Sequence, residues 1–187
     1  MKNRIVTYMN PELSIKVLNR LFAMLDCSLA RYLSYARPWA RRPYMLLDAL
    51  ARRLSYEHEA FAGSIAQLIT ARRGAVNSCV FPMDFTYYND LSLEYLAPKL
   101  LEHQRDLIGF AAECAEELAH DPEANRLVKK LIGSLRQYAA LLEELLAPHR
   151  LSAPLVEEDT DTSLRRAQTP SRLSKRAGVF AEPQTAA

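Results

Sequence analysis

The chain has 187 residues, 49% of them hydrophobic, with only 5 glycines and a formal net charge of +2. That length supports a self-sufficient core, so few glycines argue against a strand-and-turn fold, and so small a charge is no footprint for nucleic acid. No run of about eighteen apolar residues exists to span a membrane, and residues 1–13 lack the apolar core of a signal peptide, so the expected location is the cytoplasm.

Arginines such as Arg37, Arg41, Arg42, Arg52 and Arg53 are locally dense, which reads as a solvated helix face. Cys27, Cys79 and Cys114 are odd in number and widely spaced, with no Cys-x-x-Cys pair. That argues against a disulfide framework or a zinc cluster and predicts free, buried thiols.

Residues 1–9 read as a lead-in. Asn10-Pro11-Glu12 is a helix start: a capping side chain, a proline at the first helical position and an early acid. The first helix is expected to run unbroken to about Ala36, with Leu18, Phe22, Leu25, Leu29, Tyr32 and Ala36 as its apolar stripe. Arg37-Pro38 ends it, because the residue before a proline disfavours helical geometry.

Pro43 opens a second helix with Leu47, Leu50, Leu54, His58, Phe61, Ile65 and Leu68 inward, stopping at Gly74. The short break before it makes the two helices antiparallel neighbours. Residues 74–90 have no helical period and are rich in aromatics, as a connection crossing from one end of a bundle to the other would be. A third helix is expected from about Asp90 to His120, with Leu93, Leu96, Leu100, Leu107, Phe110, Cys114 and Leu118 inward. Pro98 either kinks it or marks its regular start. Asp121-Pro122-Glu123 repeats the cap, proline and acid signal and opens a fourth helix, with Leu131, Leu135, Tyr138, Leu142 and Leu145 inward, ending before Pro148. From residue 151 an acidic cluster (Glu157, Glu158, Asp159, Asp161) and a basic stretch (Arg165 to Arg176) leave little to bury, which predicts a disordered tail over residues 151–187.

Leu18-Asn19-Arg20-Leu21, followed by Tyr32 and Tyr35-Ala36-Arg37, resembles the first helix of the ferritin-like superfamily, bacterioferritins in particular. The resemblance implies an all-α, ferritin-like four-helix bundle over residues 1–150, of bacterial type, with a long crossover between its second and third helices. It also implies a di-iron centre. Such centres take one glutamate from each of two helices and a Glu-x-x-His pair from each of the other two.

Matched position by position, most of these ligands are missing. The first helix offers Leu25, with Asp26 about 100° off the stripe. The second offers His58-x-x-Phe61, or Glu59-x-x-Ala62 if the count shifts by one. The third keeps a glutamate, Glu94, in Asp90-Leu91-Ser92-Leu93-Glu94. The fourth offers Leu135-x-x-Tyr138. Two ligands would hold a divalent metal weakly, whereas leucine in place of buried carboxylate makes ordinary core.

The expectation is therefore a degenerate metal site with a polar remnant, His58, Glu94, Tyr32 and Tyr138, in which His58 bonds Glu94 or a tyrosine. The competing views of those four are a single-metal or small-molecule pocket, and that the four do not meet at all. Haem binding in the resembled family uses a methionine on the second helix, and residues 56–61 contain none. His103, His120 and His149 read as solvated, and no glycine-rich phosphate loop exists.

The functional expectation is a structural or interaction protein without catalytic activity or cofactor, self-associating or binding a protein partner, with no nucleic acid and no membrane. The alternative is an iron-binding or ferroxidase-type protein in which Glu94, His58, Glu59 and Asp26 form an unorthodox site for iron or another divalent metal. A third reading is a small-molecule binder. Asp161-Thr162-Ser163-Leu164-Arg165-Arg166 loosely resembles the peptides by which cargo docks inside encapsulin shells.

Overall fold

A computed structural model describes residues 11–147. The Asn10 cap, Pro148, His149, the predicted disordered tail and its encapsulin-like peptide lie outside those residues. Within them the chain is all-helical. It runs α1 (Pro11–Asp26), α2 (Leu29–Ala36), a 3-10 turn (Arg42–Tyr44), α3 (Met45–Ala71), a second 3-10 segment (Met83–Tyr88), α4 (Leu93–Glu117) and α5 (Pro122–Leu146). None of these helices is long and apolar enough to cross a membrane.

The expected unbroken first helix is corrected. It breaks at Cys27-Ser28, where Ser28 takes the extended backbone of an N-cap (φ −70°, ψ 158°) and its hydroxyl accepts from the Arg31 N–H. A serine there restarts a helix because its side chain satisfies a backbone donor that the first turn leaves free. After the break Leu29, Ala30 and Leu33 are buried, whereas Tyr32 is half-buried and Ala36 is exposed. α2 closes on Arg37, a non-glycine residue in the left-handed region (φ 49°) whose N–H returns to the Leu33 carbonyl, a C-cap geometry that Pro38 prevents from continuing as helix.

α1 and α2 pack along α3, and α4 along α5, with α1 against α4 and α3 against α5 completing the square. End-to-end contacts fix the directions. Ser14, in the first turn of α1, meets His120, just past α4, at 3.2 Å, and Arg72, just past α3, meets Asp121 at the head of α5. Each neighbouring pair is therefore antiparallel. The core falls into two apolar clusters. One joins Leu18, Leu21, Leu25, Ile65, Leu107 and Leu131; the other joins Leu29, Leu54, Phe85, Leu96, Leu100 and Leu142.

Residues 72–92, between α3 and α4, lie along the α1–α2 arm. Just past α3, at Gly74, an added Cβ would come within 2.9 Å of the Ile15 side chain, so glycine allows this close approach without displacing Ile15. The Asn19 amide then donates to the Ala75 carbonyl at 3.0 Å and its oxygen accepts from the Asn77 N–H at 2.8 Å. Further on, the Phe81 ring meets Tyr32 and Tyr35, and the Leu93 N–H reaches the Trp39 carbonyl at 3.0 Å. Pro98 lies inside α4. Its missing N–H deprives only the Glu94 carbonyl, and both residues are exposed, so water can serve that carbonyl instead.

Asp121 ties three elements together. It is fully buried, caps α5 by accepting from the Ala124 N–H at 3.2 Å, and takes a forked pair from Arg72, whose second bond is 2.9 Å. Burial works against its charge, but hydrogen bonds from Arg72, Ser14 and the Ala124 N–H, with the Arg72 charge, outweigh it and hold the carboxyl below its ordinary value. A carboxyl held low in the folded state adds stability above its unfolded pKa and loses it as pH falls through the folded value. Urea denaturation at neutral pH should show Asp121→Ala less stable by about 3 kcal/mol, the range for a broken buried pair plus a lost cap. That gap should narrow below about pH 4.

Candidate functional site

Three neutral polar side chains form a layer between the two apolar clusters. His58 of α3 is 0% exposed, Gln104 of α4 is 1% and Ser28 at the α1–α2 break is 1%. The Ser28 hydroxyl lies 2.7 Å from His58 Nδ1. Its oxygen accepts from the Arg31 N–H; with its proton directed at Nδ1 the neutral ring carries its own proton on Nε2, and in the other tautomer Nδ1 donates to the hydroxyl instead. The Gln104 amide donates to the Leu135 carbonyl at 3.3 Å. Gln104 Oε1 and His58 Nε2 are the complementary pair left over, neither in a bond of normal geometry.

Burial, then the positive field of His103, pushes the His58 pKa down to about 3; Arg31 adds to this and Gln104 opposes it. The imidazole is neutral at physiological pH. Its neighbours are a hydroxyl and an amide. Among the described residues the groups that act on it are His103, Gln104 and Arg31, with no carboxylate to raise its basicity as general-base catalysis or metal ligation would use.

The sequence-derived candidates lie elsewhere. Glu94 is exposed in the first turn of α4 and accepts from the Tyr44 hydroxyl, whose pKa it raises. Asp26 and Glu59 both pair with Arg31, at 3.2 and 2.8 Å, so a guanidinium sits between those two carboxylates. Tyr32 is half-buried at the edge of the second cluster: its hydroxyl donates to Asn89 at 2.7 Å and its ring packs on Phe81 and Phe85. Tyr138 is buried in the second apolar cluster.

Among the described residues no three of Glu94, His58, Glu59 and Asp26 bring ligand atoms within 4.8 Å of one another. This donor set does not fit a di-iron centre, which needs carboxylates turned inward on all four helices. The expected bonding of His58 is corrected too: its neighbours are Ser28 and Gln104, not Glu94 or a tyrosine. Gln104 was detectable, because Leu100, Gln104 and Leu107 share the spacing of the α4 stripe. His103 and His120 are likewise half-buried rather than solvated. His103 lies edge-on to Phe85, and His120 shares a hydrogen bond of 3.2 Å with Ser14.

A second cluster lies at the outer side of the same break. The free-thiol expectation is corrected for two of the three cysteines: Cys27 and Cys79 form a disulfide across a sequence separation of 52. Cys114 is free and buried, and burial pushes its thiol up to about 11. A pairing over such a span becomes visible only once residues 72–92 are seen to return along α1. Asp26 completes the group, its Oδ2 lying 3.7 Å from Cys79 Sγ. Beside it is a hollow of about 420 Å³ lined by Met24, Cys27, Cys79, Val80, His103 and Phe110.

Comparison with protein-family models, with curated proteins and with solved structures gives no match. Residues 11–147 form an all-helical bundle with a neutral polar layer in its core.

The layer has a pH signature. Because the folded pKa of His58 lies below its ordinary value of 6.5, the folded state binds fewer protons than the unfolded state between the two. Stability is complete above about pH 6.5 and falls as pH drops toward the folded value. Urea midpoints measured from pH 7 to pH 5 should show wild type losing up to about 1.4 kcal/mol per pH unit from this group, a component absent in His58→Gln.

Proposed function

We propose that this chain is a ferritin-like bundle of the bacterioferritin type that has lost its metal site and acts as a structural or interaction protein, without catalysis. The observation that carries this reading is the composition of the central layer. Where a di-iron protein would concentrate carboxylates, this core presents His58, Ser28 and Gln104 beside Leu25, Phe61 and Leu135, all at most 7% exposed. The one buried carboxylate among the described residues, Asp121, is committed to Arg72 and the α5 cap.

The arrangement of helices supports the superfamily assignment. Two antiparallel pairs joined by a connection lying lengthwise along the first arm correspond to the single long crossover of ferritin-like bundles.

An interaction role draws on α3. Leu46, Ala49, Arg53, Tyr56, Ala60 and Gly63, spaced by three or four residues, are all exposed along one side of it. The small Ala49, Ala60 and Gly63, set beside the large apolar Leu46 and Tyr56 with Arg53 as the one charged position, let a like helix approach closely, so a second copy of the chain is the partner this face suits. Sedimentation velocity over a concentration series should show reversible association that Tyr56→Glu weakens. A monomer at every concentration would remove self-association from the proposal.

The metal question has a direct test. With the disulfide intact, anaerobic Fe(II) titration followed by oxygen should give less than one iron per chain and no rapid oxidation, and Glu94→Ala should change neither. Two irons per chain with fast, Glu94-dependent oxidation would replace this reading by the ferroxidase alternative.

A further inference from the structure

We propose that Asp26, Cys27 and Cys79, once a thiol reductant has opened the disulfide, hold a single thiophilic divalent cation of the zinc type. This site is independent of the bundle interior and of the function proposed above. A cytoplasmic chain would spend much of its time in this reduced state, since that compartment keeps thiols reduced.

One ligand atom from each of the three residues lies within 4.8 Å of the others. Tetrahedral zinc, with Zn–S bonds of about 2.3 Å and Zn–O bonds of about 2.1 Å, sets its ligand atoms roughly 3.4–3.8 Å apart. The carboxylate is within a side-chain adjustment of that spacing, and the sulfurs reach it by separating when their bond opens.

The two oxygens of Asp26 divide their work. Oδ1 is bonded to Arg31 at 3.2 Å, while Oδ2 lies 3.7 Å from Cys79 Sγ. Arg31 therefore orients the carboxylate from behind, as an outer partner orients a metal ligand, and the other oxygen faces the sulfurs. Arg31 keeps Glu59 at 2.8 Å if the carboxylate shifts. Asp26 is also the last residue of α1, where free backbone carbonyls favour a cation.

The site is held together without the disulfide. Cys79 is held next to Cys27 by contacts on both sides of it along the chain: the two Asn19 bonds to Ala75 and Asn77 before it, and Phe81 on Tyr32 and Tyr35 after it. The open side faces the hollow that Met24 and His103 line, leaving a coordination position for water or a further ligand.

The chemistry balances. Two molecules of a thiol are oxidised to their disulfide, their hydrogens pass to Cys27 and Cys79, and binding of the cation as a dithiolate releases two protons. Affinity therefore rises with pH.

Cobalt(II) is the probe. The full chain, reduced with excess dithiothreitol and desalted anaerobically, should bind one Co(II) with a sulfur-to-cobalt charge-transfer band that Zn(II) abolishes. Oxidised protein should give no band, Cys79→Ser should lose it, and Asp26→Asn should weaken binding by at least about tenfold. Far-UV circular dichroism should stay unchanged on reduction and in Asp26→Asn. The proposal is overturned by a reduced, folded chain without the band, by an Asp26→Asn titration identical to wild type, by a band that persists in Cys79→Ser, or by loss of helicity on reduction.

Discussion

The hydroxyl of Ser28 is the point on which this architecture turns. It accepts the Arg31 N–H, which starts α2, and it lies 2.7 Å from His58 Nδ1, which fixes α3 beside it. Consecutive side chains at the break point to opposite sides. Ser28 goes inward to the polar layer, and Cys27 goes outward to the residue 72–92 segment. The interruption of one helix thus couples the interior of the bundle to the segment lying along its surface.

Such a layer costs stability where it is incompletely bonded, about 1–3 kcal/mol for an unsatisfied buried group, and His58 Nε2 and Gln104 Oε1 are two such groups. What it supplies is register. Between two leucine-rich clusters, a slide of α3 by one residue would rotate His58 by about 100° away from Ser28 and into hydrocarbon. Apolar contacts alone tolerate such slides, whereas a polar group that must find its partner does not.

Much of this was legible in single residues. Asp121-Pro122-Glu123 announced α5 and its cap, and the α4 stripe from Leu93 to Leu118 is buried at nearly every position read. The break at Cys27-Ser28 was hidden because Leu25 and Leu29 keep a four-residue step across it, so periodicity runs through a bend that only the Ser28 backbone reveals. Glu94 matches an inward ligand of the resembled family, although the phase of Leu93 and Leu96 puts it about 100° off the buried stripe. Arg31 was the least legible of all. Its pairing with Asp26 and Glu59 joins residues on α1, α2 and α3, and no local pattern encodes a guanidinium set between two acids.

The bond between Cys27 and Cys79 also makes the chain a lasso. The loop it closes contains α2, α3 and the segment that returns along α1, while α4 and α5 lie on the free strand beyond. A pull on the two ends of the oxidised molecule would straighten everything outside the loop and leave its 52-residue separation, about 180 Å of extended chain, stored as hidden length. A protease cutting anywhere within the loop would leave the pieces covalently joined. Under tension or after a nick, the redox state of one pair of sulfurs would decide whether the molecule lengthens or comes apart.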